Sequence, residues 1–115
     1  MATSGENLRI QVLINGQPMG TAGIAAAGVL TAEVCWVRRD LSQATEEIRQ
    51  SPSFTPEAWI DDQPRIRLGG LDSMANEHID WYWSQLKIGD EVTIRLLPAG
   101  DIDEPAQRVP DSEVG

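Results

Sequence analysis

Alternating apolar and polar positions predict a β-hairpin near the start of the chain. Between residues 8 and 14 every second residue is Leu, Ile or Val, the pattern of a strand with one buried face. The next dipeptide, Asn15-Gly16, tolerates the positive φ angles of a type I′ turn. The returning segment, 17–24, contains one proline and two glycines, so we expect a short, edge or bulged strand there.

Three later segments also have the β-branched, alternating pattern of strands. They are residues 28–38, 65–68 and 91–97. The region 40–64 lacks this regularity, and we expect an irregular excursion with short helices. One helical turn is predicted around 45–49, and Thr55-Pro56-Glu57 has a capping residue, a proline and an acid in the order that begins a helix.

Residues 72–86 predict one long helix. Gly69-Gly70 would turn the chain, Asp72 or Ser73 would cap the helix, and at 100° per residue most apolar side chains share one face. That face comprises Ala75, Ile79, Tyr82, Trp83 and Leu86. Trp81 falls on the opposite, outward side.

These elements together predict an α+β fold. We expect a four- to five-stranded antiparallel or mixed sheet with one long helix packed on one face, forming a single domain over residues 1–97. Residues 98–115 are rich in proline and acids, which predicts a flexible acidic tail.

Composition and charge restrict the function classes. The 115-residue chain has 18 acidic and 9 basic residues, a net charge of −9, which disfavours nucleic acid and favours a basic protein partner. No apolar stretch is long enough to span a membrane, and the N-terminal residues lack a signal-peptide layout. One cysteine, Cys35, and no zinc-ligand spacing predict a cytoplasmic protein without metal or cofactor.

Trp81 is the first candidate site residue. If it projects from the helix, it could anchor a protein partner together with Glu77, His78 and Asp80. Alternatively the acidic tail or the region 40–64 covers it, which is the commoner fate of a large aromatic side chain in a small domain.

Four arginines define a second candidate, an anion-binding patch. Arg9, Arg65, Arg67 and Arg95 occupy the polar positions of predicted strands. With Glu33 and Glu91 across the strands, they could equally form the charged, solvated face that antiparallel sheets ordinarily have.

Catalytic motifs are sparse. The single histidine, His78, could serve a metal-dependent or small-molecule enzyme only if Asp80, Asp61 or Asp62 lay beside it. Gly69-Gly70 lacks the remainder of a phosphate-binding motif, and no serine-nucleophile elbow is present.

Several blocks of the chain resemble a family of small uncharacterised bacterial proteins. The blocks are TAGI (21–24), GVLTAEVCWVRR (28–39), GGLDS (69–73), NEHIDW (76–81) and LKIGDEVTIR (86–95). The resemblance covers about two-thirds of the chain and implies a bacterial cytoplasmic setting, without any activity, cofactor or catalytic residue.

The leading functional hypothesis is a non-enzymatic protein-binding module of the immunity or inhibitor type, because the chain is small, acidic and poor in catalytic groups. The first alternative is an enzyme centred on His78. The second is a self-associating structural subunit, a homo-oligomer formed through an exposed strand edge or the outer face of the helix.

Overall fold

The computed structural model describes residues 4–25 and 27–110, with side chains from residue 8 onward. They form two antiparallel sheets. The strands are β1 (Ser4–Ile14), β2 (Gln17–Gly23), β3 (Gly28–Cys35), β4 (Arg65–Asp72), β5 (Glu77–Gln85), β6 (Val92–Asp101) and β7 (Gln107–Pro110). Sheet A has the order β2-β1-β6 and sheet B the order β3-β4-β5-β7.

The predicted α+β architecture is wrong, because residues 72–86 do not form a helix. Asp72 ends β4, residues 73–76 make a turn, and β5 follows. The helices of the described residues are short: a 3₁₀ turn (Leu41–Gln43), α1 (Glu46–Arg49) and α2 (Pro56–Trp59). The β-branched Ile79 and the aromatic residues at 81–83 suit a strand, where they pack without losing rotamer freedom against a preceding helical turn.

Other local predictions are confirmed. Asn15 and Gly16 have φ of 52° and 80°, as a type I′ turn requires, and join β1 to β2. β2 lies at an edge of sheet A, with a bulge in its pairing. The Thr45 and Thr55 hydroxyls accept hydrogen bonds from backbone N–H groups in the first turns of α1 and α2.

A bulge shapes the centre of sheet B. Leu68 pairs with Tyr82 and Gly69 pairs with Asp80, so Trp81 is the extra residue on β5. The glycine pair predicted to turn the chain lies within β4. A Cβ atom on Gly69 would stand only 2.8 Å from the Ile79 carbonyl oxygen, which explains why the smallest residue is required there.

The two sheets enclose one hydrophobic core. Sheet A contributes side chains from β1 and β2, and sheet B contributes side chains from β4, β5 and the residue that follows β5. The buried cluster consists of Ile10, Val12, Ala22, Ile66, Leu68, Ile79, Trp81 and Leu86. The architecture is therefore a β-sandwich.

The segment predicted as a flexible tail is largely built into the sandwich. β6 continues to Asp101, and β7 pairs with β5. Between them, the Asp103 N–H donates to the Thr21 carbonyl, and the Thr21 N–H donates to an Asp103 carboxylate oxygen. The structure differs from the prediction because backbone hydrogen bonds, which need few apolar side chains, hold this segment in place. The remainder of the predicted tail, 111–115, lies outside the described residues.

A polar junction joins the β1–β2 turn to the start of β6. Asp90 accepts hydrogen bonds from the Lys87 N–H at 2.8 Å and from the Asn15 side-chain amide at 3.0 Å. These bonds favour the carboxylate and lower the pKa of Asp90. No helix of the described residues is long and apolar enough to cross a membrane.

Candidate functional site

Trp81 lies inside the sandwich rather than on its surface. It is 6% exposed, and its indole N–H donates to the Asp103 carbonyl at 2.9 Å. The alternative in which the chain's acidic C-terminal segment covers Trp81 therefore agrees with the structure. Trp81 is not an exposed anchor.

Trp83 is the exposed tryptophan of β5. The helical pattern placed it in the core, but the strand directs it to the outer face of sheet B, where it is 53% exposed. It lies opposite Arg67, while Ser84 lies opposite the buried Ile66. The alternation of a regular strand would place Trp81 and Trp83 on the same face. The bulge at Trp81 places them on opposite faces.

Trp83 belongs to one of two adjacent rows of side chains that cross three neighbouring strands. One row runs Glu33, Arg67, Trp83 and the next runs Cys35, Arg65, Gln85, each from β3 through β4 to β5. These six residues line a shallow groove of about 400 Å³. We call them the Trp83 surface.

Acidic neighbours hold the arginines of this surface. Arg67 contacts Asp80 at 2.6 Å, and Arg65 contacts Asp61 at 3.5 Å. Both pairs are partly solvated, so each contributes about 1 kcal/mol or less to stability. Trp83, which lies beside them, remains half-exposed.

The predicted four-arginine patch is not assembled. Arg65 and Arg67 belong to sheet B, whereas Arg9 and Arg95 belong to sheet A. Arg9 donates to the carbonyl oxygens of Pro98 and Asp101, at 2.7 and 2.9 Å. The predicted pairing across strands holds in part, since Glu33 lies directly opposite Arg67.

Of the carboxylates proposed to act with His78 in an enzyme site, Asp80 is two residues away on β5 and binds Arg67, whereas Asp61 lies toward the other end of sheet B. His78 lies near the start of β5, while Asp61 contacts Arg65, which pairs with Gln85 at the other end. Seven residues of strand separate these positions, about 20 Å. Among residues 4–25 and 27–110, no group of three or more His, Cys, Asp or Glu side chains could hold a metal ion.

The remaining predicted partner-binding residues lie on two faces of β5. Asp80 is on the outer face with Arg67, as described above. Glu77 contacts Arg108 of β7 at 3.6 Å. His78 pairs with Leu71 on one side and Val109 on the other and is half-buried. These three residues therefore do not form one surface with Trp81.

A second groove lies near the end of β3. Its volume is about 530 Å³, and its lining includes Trp36, Leu86 and Ile88. Trp36 is 56% exposed, almost the same as Trp83. The two tryptophans thus differ in location rather than in accessibility.

Comparisons of the chain with protein-family models, with curated proteins and with solved structures found no match. The resemblance to a family of small bacterial proteins therefore stays a prediction.

Proposed function

We propose that this protein is a non-enzymatic protein-binding module, of the immunity or inhibitor type, that binds its partner through the Trp83 surface. The observation that carries the proposal is a half-exposed tryptophan beside a groove on the outer face of sheet B. Tryptophan and arginine are the residue types most enriched among those that dominate binding energy at protein interfaces.

The charges of this surface restrict the partner. Arg65 and Arg67 already have carboxylate neighbours, and Glu33 lies beside them. The partner therefore need not supply carboxylates at this place. The net charge of −9 attracts a basic protein at long range, while the groove beside Trp83 accommodates an apolar side chain at short range.

Affinity capture with matched tryptophan variants tests this function. The full chain is immobilised and exposed to native lysate of the source cells, and the retained proteins are quantified by mass spectrometry. Trp83→Ala should weaken retention of the partner about 30-fold or more, the effect of losing a dominant anchor. Trp36→Ala is the control, since it removes an equally exposed tryptophan outside the Trp83 surface.

The partner should also be basic, so its retention should fall as salt rises. Equal retention by both variants would count against the Trp83 surface. If the wild-type chain retains no protein above background, the binding-module proposal itself is wrong.

A further inference from the structure

The free edge of β6 is unusually apolar for a strand edge. No strand among residues 4–25 and 27–110 pairs with this edge, because β6 is the last strand of sheet A. Ile94 and Leu96 are 45% and 69% exposed, although their partners on β1, Val12 and Ile10, are 0% and 9% exposed. The apolar face of sheet A thus continues past the core to an open edge, which is a template for pairing with another strand.

The other described edges have less to offer a second chain. On the β2 edge, Asp103 already bonds to both backbone groups of Thr21. The β7 edge is four residues long and ends in proline. On the β3 edge, Leu30 and Ala32 already pack against the core, although Val34 is 52% exposed.

The hydrogen-bond pattern identifies which β6 residues face outward. Asn15 pairs with Glu91, donating its N–H to the Glu91 carbonyl at 2.8 Å. In an antiparallel ladder hydrogen-bonded pairs alternate along the strand, so residues 91, 93, 95 and 97 bond to β1. The backbone groups of Val92, Ile94 and Leu96 therefore point to the free edge.

This outward-facing stretch is limited at both ends. Pro98, the next outward-facing residue, has no N–H to donate. At the other end, the Asp90 N–H already bonds to the Lys87 carbonyl. Only three consecutive outward-facing residues, all β-branched or leucine, remain able to exchange hydrogen bonds.

We infer that this edge pairs with the same edge of a second copy of the chain, in antiparallel orientation with Ile94 on the two-fold axis. Only in this register do Val92, Ile94 and Leu96 of both chains all form hydrogen bonds across the interface. It places Leu96 opposite Val92 of the second copy and Ile94 opposite its counterpart, and each pair exchanges two hydrogen bonds. The result is a continuous six-stranded sheet with an isologous interface.

Charge complementarity supports the same register. On the opposite face of the strand, Arg95 lies across from Thr93 of the second copy and diagonal to its Glu91, within reach of a long side chain. Glu91 and Arg95 are both exposed in the single chain. The two Arg95 side chains are the only like charges brought near one another, and each can turn toward the glutamate.

Sedimentation velocity of the purified full chain tests the inference, over concentrations from about 1 to about 500 µM. The wild-type mass should rise toward twice that of the single chain. Leu96→Lys should weaken association at least about tenfold, because it places a charge on the paired edge. Val34→Lys is the matched control on the β3 edge and should leave association unchanged; far-UV circular dichroism checks that both variants remain folded.

A charge exchange tests the register itself. Arg95→Glu should weaken association by placing like charges on the diagonal, and Glu91→Arg in the same chain should restore it. A wild-type monomer at every concentration would overturn the inference and favour a strand from a different protein. Association lost in Val34→Lys but kept in Leu96→Lys, or not restored by the double variant, would also overturn it.

Trp83 is on the other sheet, so Trp83→Ala should leave the measured mass of the assembly unchanged. The test of self-association can therefore fail or succeed separately from the test of the proposed function.

Discussion

The two tryptophans of β5 show how backbone geometry determines the role of a side chain. Trp81 and Trp83 are two residues apart and would share a face in a regular strand. The bulge at Trp81 reverses the alternation, so Trp81 joins the core and Trp83 joins the outer face. The helical pattern predicted the opposite assignment for both.

Alanine substitution of each tryptophan should distinguish the two assignments. Trp81→Ala should lower the free energy of unfolding by about 3–5 kcal/mol, because it leaves a cavity in the core and removes the bond to the Asp103 carbonyl. Trp83→Ala should lower it by about 1 kcal/mol or less, since Trp83 is half-exposed. Urea denaturation followed by circular dichroism measures both values. If Trp83→Ala lowered the free energy of unfolding more than Trp81→Ala does, the result would support a helix over 72–86 instead.

At the scale of elements, local signals predicted most of the strands. β1, its type I′ turn and the start of α2 follow from alternation and from Asn15-Gly16 and Thr55-Pro56. β5 was missed because its bulge destroys the period of two: the inward residues are Ile79 and Trp81, and then Tyr82 and Ser84. Once that regularity is lost, the same apolar residues also satisfy a helical spacing.

The C-terminal segment was missed for a different reason. Its contributions are mainly backbone hydrogen bonds to β2 and β5, and hydrophobic patterning does not detect these. Among its described residues, Ile102 is the apolar side chain that packs against the core. A segment can therefore be structural while its composition is typical of a linker.

Truncation tests this structural role. A chain that ends after Asp101 should lose at least about 2 kcal/mol of unfolding free energy, because the Trp81 indole loses its acceptor and Ile79 loses the cover of β7. Its tryptophan fluorescence should shift to longer wavelength as Trp81 gains solvent. Glu104→Gln in the full chain is the control, since it changes one exposed charge and no backbone bond. An unchanged melting temperature in the truncated chain would restore the flexible-tail prediction.

At the scale of the whole molecule, the sequence predicted the charge but not its distribution. Four arginines on polar strand positions could have formed one patch, and their separation follows from strand order. β1 pairs with β6, about 80 residues away, while β3 pairs with β4. No local pattern encodes such partners, so a site that combines several strands, such as the Trp83 surface, becomes visible only in the fold.

The net charge of −9 has a consequence for stability as well as for binding. Like charges on a compact chain repel one another more than on an unfolded one, so salt should stabilise the fold by screening that repulsion. The melting temperature at pH 7 should therefore rise between about 10 and about 300 mM NaCl and then level off as the Debye length shortens. Near pH 4.4, the isoelectric point, the net charge vanishes, so the melting temperature should no longer rise with salt there. Differential scanning calorimetry at both pH values is the measurement, and an equal rise at both would attribute the effect to salt-strengthened burial of apolar surface instead.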